Sequence, residues 1–200
     1  MAFFMRVCSR QNPDLSSGLW QLVWLFCIGL LLPGPAQAGG FTIRSVETRQ
    51  QDAVFLLDTR VNLAFSKEAQ KALQSGIPII ILLDIEVEQL RSWWWNKTIA
   101  RLQQGYLLLY HALTEKYIVN NLNSGAQHDY TSLGACLAAT GHITGLPLID
   151  SALLDKDEQY QLRLRVKLDI ESLPAPMRPL AYISSDWQLA SDWYTWPLQR

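Results

Sequence analysis

Residues 76–95 read GIPIIILLDIEVEQLRSWWW, and their pattern decides the fold. The first half is apolar at every position: Ile77, Ile79, Ile81 and Leu83 share one strand parity, Ile80 and Leu82 the other. From Asp84 the run alternates. Ile85 and Val87 continue the apolar parity, whereas Asp84, Glu86 and Glu88 take the opposite one. Successive side chains on a strand point to opposite faces, so the pattern predicts one long strand that begins deep in a core and runs out towards solvent. Pro78 has no amide donor and belongs at the strand's start or at an unpaired position. The carboxylates read as a solubilising outer face.

Working outward, residues 53–65 form the cleanest early strand, with Phe55, Leu57, Val61, Leu63 and Phe65 on one face and Asp58, Arg60 and Asn62 on the other. Before it, Phe41 and Ile43 alternate and the parity then shifts to Val46, as in a bulged edge strand. The two make a hairpin across Gln50-Gln51-Asp52. Ser66, Glu68, Ala69, Ala72, Leu73 and Gly76 mark a short capped amphipathic helix leading into residues 76–95. Later, residues 102–113 and 116–122 read as a second hairpin about Thr114-Glu115, and 120–129 as a loop. Residues 130–140 form a second helix, with Leu133, Cys136, Leu137 and Thr140 on one face and Gly141 as its stop. Gly145-Leu146-Pro147 reads as a turn. Residues 160–170 alternate without error, and 183–198 read as a closing strand pair. The sum is about seven or eight mostly antiparallel strands and two short helices. That is a mainly β fold, an antiparallel β-sandwich, immunoglobulin-like in outline.

The N-terminus has a different character. Arg6 and Arg10 precede the apolar residues 19–32, Pro33-Gly34-Pro35 ends that run, and Ala36-Gln37-Ala38 offers a small-x-small cleavage site. This is the order of a secretory signal peptide. The run is shorter than the roughly 20 residues of a spanning helix, so cleavage after Ala38 is expected over a retained anchor. Residues 1–38 are then the signal, and 39–200 a single domain with no membrane span, at home in the periplasm. Removing Arg6, Arg10 and Asp14 from 17 basic and 18 acidic residues leaves 15 and 17, a balance of −2. Such a balance supplies no basic field for nucleic acid. Cys8 and Cys27 leave with the signal. Cys136 alone remains, so no internal disulfide forms and packing must hold the domain.

The chain resembles an uncharacterised family of exported Gram-negative bacterial proteins, domain of unknown function 4390. The resemblance is carried by Ala72-Leu73 with Gly76-Ile77-Pro78, Arg91 with Trp93, and Tyr110-His111-Ala112-Leu113-Thr114 with Tyr117. It continues through Leu168-Asp169, Leu173-Pro174-Ala175-Pro176-Met177-Arg178 and the Ser185, Trp187, Leu189, Ser191, Trp193 pattern. It brings no assigned activity, cofactor or catalytic residue. Members of the family are encoded near a membrane sensor kinase, so the resemblance implies a role in envelope signalling and a partner among envelope or membrane proteins.

No catalytic, cofactor or metal site is assigned from the residues. His111 reads as a hydrogen-bonded strand histidine, Cys136 as a core thiol on its helix face, and His111, His128 and His142 lack ligand spacing. The unusual feature is six tryptophans beyond residue 38, three of them consecutive. Trp187 and Trp193 read as core. If the strand continued, Trp93 and Trp95 would share one face and Trp94 the other, making Trp94 the exposed member. Arg91, Trp94, Trp95 and Lys97 are therefore the candidate interaction surface. Three functions stay open. The leading one is a non-catalytic periplasmic interaction module. The alternative is a carbohydrate or peptidoglycan-fragment binder with a Trp platform, and the third is a hydrolase with a site around His111.

Overall fold

The computed structural model describes residues 40–93 and 95–198; the signal segment, its cleavage site and Trp94 lie outside them. Among the described residues nine strands, each antiparallel to its neighbours, divide into two sheets. The smaller sheet has the order β1 (Phe41–Gln51), β2 (Val54–Leu63) and β7 (His142–Asp150). The larger runs β6 (Gln127–Tyr130), β5 (Lys116–Asn121), β4 (Lys97–His111), β3 (Ile79–Gln89), β8 (Tyr160–Leu168) and β9 (Tyr194–Pro197). Three short helices complete the domain: α1 (Lys67–Gln74), α2 (Leu133–Thr140) and α3 (Arg178–Ile183).

The apolar run of residues 76–95 is β3, an interior strand of the six-stranded sheet, flanked by β4 and β8. Ile79, Ile81, Leu83, Ile85 and Val87 are all buried and share one continuous core with Phe55, Leu57 and Val46 of the smaller sheet. Leu162, Leu164 and Val166 of β8 extend that layer, as their alternation predicts. Burial of apolar side chains from both sheets is the main force holding a sandwich together. Pro78 sits just before the strand, where its missing donor costs no ladder bond.

Local signals explain most element ends. Ser66 Oγ accepts from Ala69 N at 3.0 Å and caps α1; Gly76 leaves that helix at φ +84°. Ser132 caps α2 likewise, accepting from Ala135 N at 3.2 Å. The register of β1 shifts between Ile43 and Ser45, the bulge that the parity change foretells.

Three expectations need correction. Gly145-Leu146-Pro147 is no turn but part of β7: Pro147 pairs with Leu56 on a strand that has β2 on one side only, and Gly145 takes φ +64° at an irregular point of the ladder. Residues 127–129 of the presumed loop, with Tyr130 of the presumed helix, form β6, an edge strand on β5. Of the presumed closing pair, only Tyr194–Pro197 is a ladder strand, and the residues after Pro176 form α3, with Pro179 in its first turn. Proline is acceptable at the first positions of a helix, where its amide would be unpaired in any case.

Candidate functional site

β3 and β4 are joined by residues 90–96, between the closing pair Gln89 and Lys97. On the other side Gln89 pairs with Tyr160, and Leu90 N donates to Gln159 O at 2.8 Å, which fixes the loop's first residue. Its last residue is fixed from the sheet: Asn96 Nδ2 donates to Glu88 Oε2 at 3.2 Å. Of the described residues between these ties, Arg91, Ser92, Trp93 and Trp95 are all exposed. Arg91 and Lys97 are exposed, Trp93 is 92% exposed and Trp95 95%.

This corrects the picture of a continuing strand. The ladder ends at Gln89, so alternation does not reach the tryptophans, and Trp93 and Trp95 both face solvent instead of one sheet face. Arg91 and Trp95 of the candidate surface thus lie on one exposed loop, with exposed Lys97 at its end as the first residue of β4. Beside the loop is an open hollow of about 440 Å3, lined by Arg91, Ser92, Asn96, Asp157, Glu158 and Gln159 among others.

The carboxylates that lead to the loop are not a solvated face either. Glu88 is buried, at 6% exposure, and Asp84 and Glu86 are half-buried. The reason is their position between two strands whose outward side chains are long and basic. On β8, Arg163 reaches Glu88 Oε1 at 2.9 Å and Glu86 Oε2 at 3.3 Å, and Lys167 reaches Asp84 Oδ2 at 2.6 Å. On β4, Arg101 reaches Glu86 Oε1 at 3.1 Å and Gln103 donates to Asp84 at 2.7 Å. Gln161 adds a bond to Glu88 Oε2 at 2.8 Å. Burial alone raises the Glu88 pKa, but the hydrogen bonds from Arg163, Gln161 and Asn96 outweigh it and hold the carboxyl below its ordinary value. Glu88 is therefore an ionised anchor at neutral pH, pairing with Arg163 and holding the Trp loop at once.

Arg163 also carries Trp193, whose ring centroid lies 4.6 Å from the guanidinium carbon. Trp193, expected in the core, is 36% exposed and covers the ladder from outside. Trp187 is core as expected, at 5%.

The remaining candidates scatter. His111 is exposed at the end of β4, its Nδ1 3.0 Å from Thr114 Oγ1 in the hairpin turn. His128 and His142 instead line one open cleft of about 370 Å3 between β7 and the β4–β6 side of the larger sheet, together with Tyr106, Tyr130 and Gln104. The two sheets, β6 in one and β7 in the other, set both histidines on that cleft, and nothing in their sequence spacing signals it. Cys136 is fully buried in α2, and burial pushes its thiol up to about 11. No cluster of three or more His, Cys, Asp or Glu side chains suited to a metal occurs among the described residues. Nor is any helix among them long and apolar enough to cross a membrane.

The exposed loop, the buried ladder and the two-sheet frame span nearly the whole segment on which a comparison with known families succeeds. Neither a curated protein nor a solved structure matches the chain. The model of one family matches residues 38–197, and the chain belongs to that family, the domain of unknown function DUF4390.

Proposed function

We propose that this protein is a non-catalytic interaction module of the periplasm, which meets its partner through the loop between Arg91 and Lys97. The observation that carries the reading is the exposure of Trp93 and Trp95 on a loop tied at both ends. Large aromatic side chains left in water are costly, and they recur where a partner covers them. The basic Arg91 and Lys97 flank the aromatic pair and give the surface a polar rim. The partner is an envelope or membrane protein and the process envelope signalling. Export follows from the N-terminal layout, so the working chain begins at Gly39.

A photo-crosslinking amino acid placed at position 95 in living cells tests the reading. It is expected to yield a defined adduct with an envelope component, absent when the same group replaces exposed Arg44 on β1 of the smaller sheet. A position-95 adduct no different from the Arg44 control contradicts it.

A second reading keeps the same loop but a different ligand. The hollow beside it presents Asn96, Gln159, Asp157 and Glu158, the donors and acceptors that carbohydrate hydroxyls require. A peptidoglycan fragment stacked on Trp95 would lose binding in Trp95→Ala on a glycan array.

A further inference from the structure

The loop of residues 90–96 shares its end of the sandwich with a second apolar projection. β3 leaves the sheet at Gln89 and β8 enters it at the partner residue Tyr160, so the connections 90–96 and 151–159 lie side by side. The Leu90–Gln159 backbone bond and the hollow lined from both connections place them in contact. The second connection opens with a short 3-10 turn, Ser151–Leu153, in which Leu153 is 69% exposed. Two neighbouring loops thus hold Trp93, Trp95 and Leu153 outward at one end of the domain.

We propose that this end is a lipid-docking tip: Trp93 and Trp95, with Leu153 of the neighbouring connection, enter the boundary between headgroups and acyl chains of a phospholipid bilayer. The proposal rests on the reading of the loop as the contact site and puts lipid, in place of an envelope protein, at that site.

Three observations favour lipid. First, at 92% and 95% exposure neither indole rests a face on the fold. A sugar platform or a protein anchor works best when the ring is already held, because ordering a free side chain opposes binding. The bilayer interface accepts an indole in many orientations and satisfies its N–H among the headgroups while burying its ring. Second, the apolar positions come from two separate loops at the same end, which suits a planar partner that meets loop tips. Third, the two connections together with Lys97, the first residue of β4, carry Arg91, Lys97 and Lys156 against Asp155, Asp157 and Glu158, a balance of zero. The tip therefore faces zwitterionic headgroups without repulsion, and Arg91 and Lys97 can lay their stems along the aromatic pair with their charges at phosphate level. Insertion driven by Trp and not by net charge predicts little dependence on anionic lipid or on salt.

The test is co-sedimentation of the purified, processed protein with sucrose-loaded vesicles of phosphatidylcholine and of mixed phosphatidylethanolamine and phosphatidylglycerol. The expected result is binding to both, altered less than about threefold by raising the salt well above physiological strength. Lipids brominated near the headgroup should quench tryptophan emission. Trp93→Ser/Trp95→Ser should weaken binding about tenfold or more with an unchanged melt, and Leu153→Ser should weaken it less. Absence of binding to either vesicle, or equal binding by the double variant, overturns the lipid proposal. So does binding that needs phosphatidylglycerol and vanishes with salt. An envelope-protein adduct at position 95 without vesicle binding sinks the lipid proposal and leaves the contact loop standing. Failure of both the adduct and the vesicles removes both.

Discussion

Asn96 donates to Glu88 at 3.2 Å, and this bond joins the exposed tryptophan loop to the most buried carboxylate of the ladder. Glu88 is thereby shared between two tasks. Its Oε1 meets Arg163, while its Oε2 receives Asn96 and Gln161. The ladder sets where the sheet stops, and the loop begins where the ladder's last carboxylate can still reach it. Trp193 over Arg163 closes the ladder from outside, so the loop stands on a rigid base.

The ladder makes an acid-dependent contribution with a definite sign. Glu88 has a folded-state pKa below the ordinary value of 4.5, so its stabilisation is present above that value and is lost as the pH falls through the lowered folded pKa. Glu88→Gln is expected to lower stability at neutral pH by about 1–3 kcal/mol, because Arg163 loses its closest charged partner. The loss on acidification below about pH 4.5 should be correspondingly smaller in the variant. Denaturant melts of both proteins between neutral and acidic pH measure it, and parallel curves would rule out Glu88 as the anchor.

Cys136 should behave as a core side chain with a latent charge. Its thiol is held at about 11 by burial, so it stays protonated through neutral pH. A folded-state pKa raised this way gives stability that is complete below the unfolded thiol's value, near 8.5, and lost as the pH rises towards 11. Cys136→Ala should cost about 1 kcal/mol at neutral pH and should flatten the alkaline loss. Thiol-reagent labelling that is fast in the native protein would contradict this.

Gly141 is needed for space more than as a helix stop. Its φ is −78°, which any residue adopts, but a Cβ there would lie 2.1 Å from the Val61 carbonyl oxygen. Val61 N also donates to Gly141 O at 2.8 Å, so α2 and β2 touch backbone to backbone. Gly141→Ala should destabilise by roughly 1–3 kcal/mol, the scale of overpacking a tight contact. An unchanged melt would mean that helix and strand can part freely.

Period-2 patterns in residues 53–65, 76–89 and 160–168 were enough to place three strands and to name the residues that face the core. Phe55, Leu57, Ile81, Leu83, Leu162 and Leu164 are all buried as their parity requires. The caps at Ser66 and Gly76 were equally legible, since each acts within one helical turn. Strand β7 was hidden because its Gly145 and Pro147 carry the local chemistry of a turn, and only its place at a sheet margin makes that chemistry tolerable.

The exposed faces were less legible, because alternation says which side a residue takes but not what lies across from it. Asp84, Glu86 and Glu88 read as solvated until β8 brings Arg163 and Lys167 beside them. The matching alternation of acids on β3 and bases on β8 was the available signal that the two strands are neighbours. The loop was misplaced for a related reason. No local residue marks Gln89 as the strand's end; that end is set by its partners Lys97 and Tyr160, and with it the freedom of Trp93 and Trp95.

The central claim is that the loop's exposed tryptophans make contact without holding the fold. The most direct measurement is the share of protein recovered with the envelope fraction of gently lysed cells, taken together with the thermal melt, for wild type and Trp93→Ala/Trp95→Ala. The account predicts a melt within about 0.5 kcal/mol of wild type, as for surface positions, and loss of most of the envelope-bound share. Trp187→Ala, at a buried position, should instead cost about 3–5 kcal/mol. A double variant that keeps its envelope-bound share, or one whose melt collapses as Trp187→Ala does, would contradict the account.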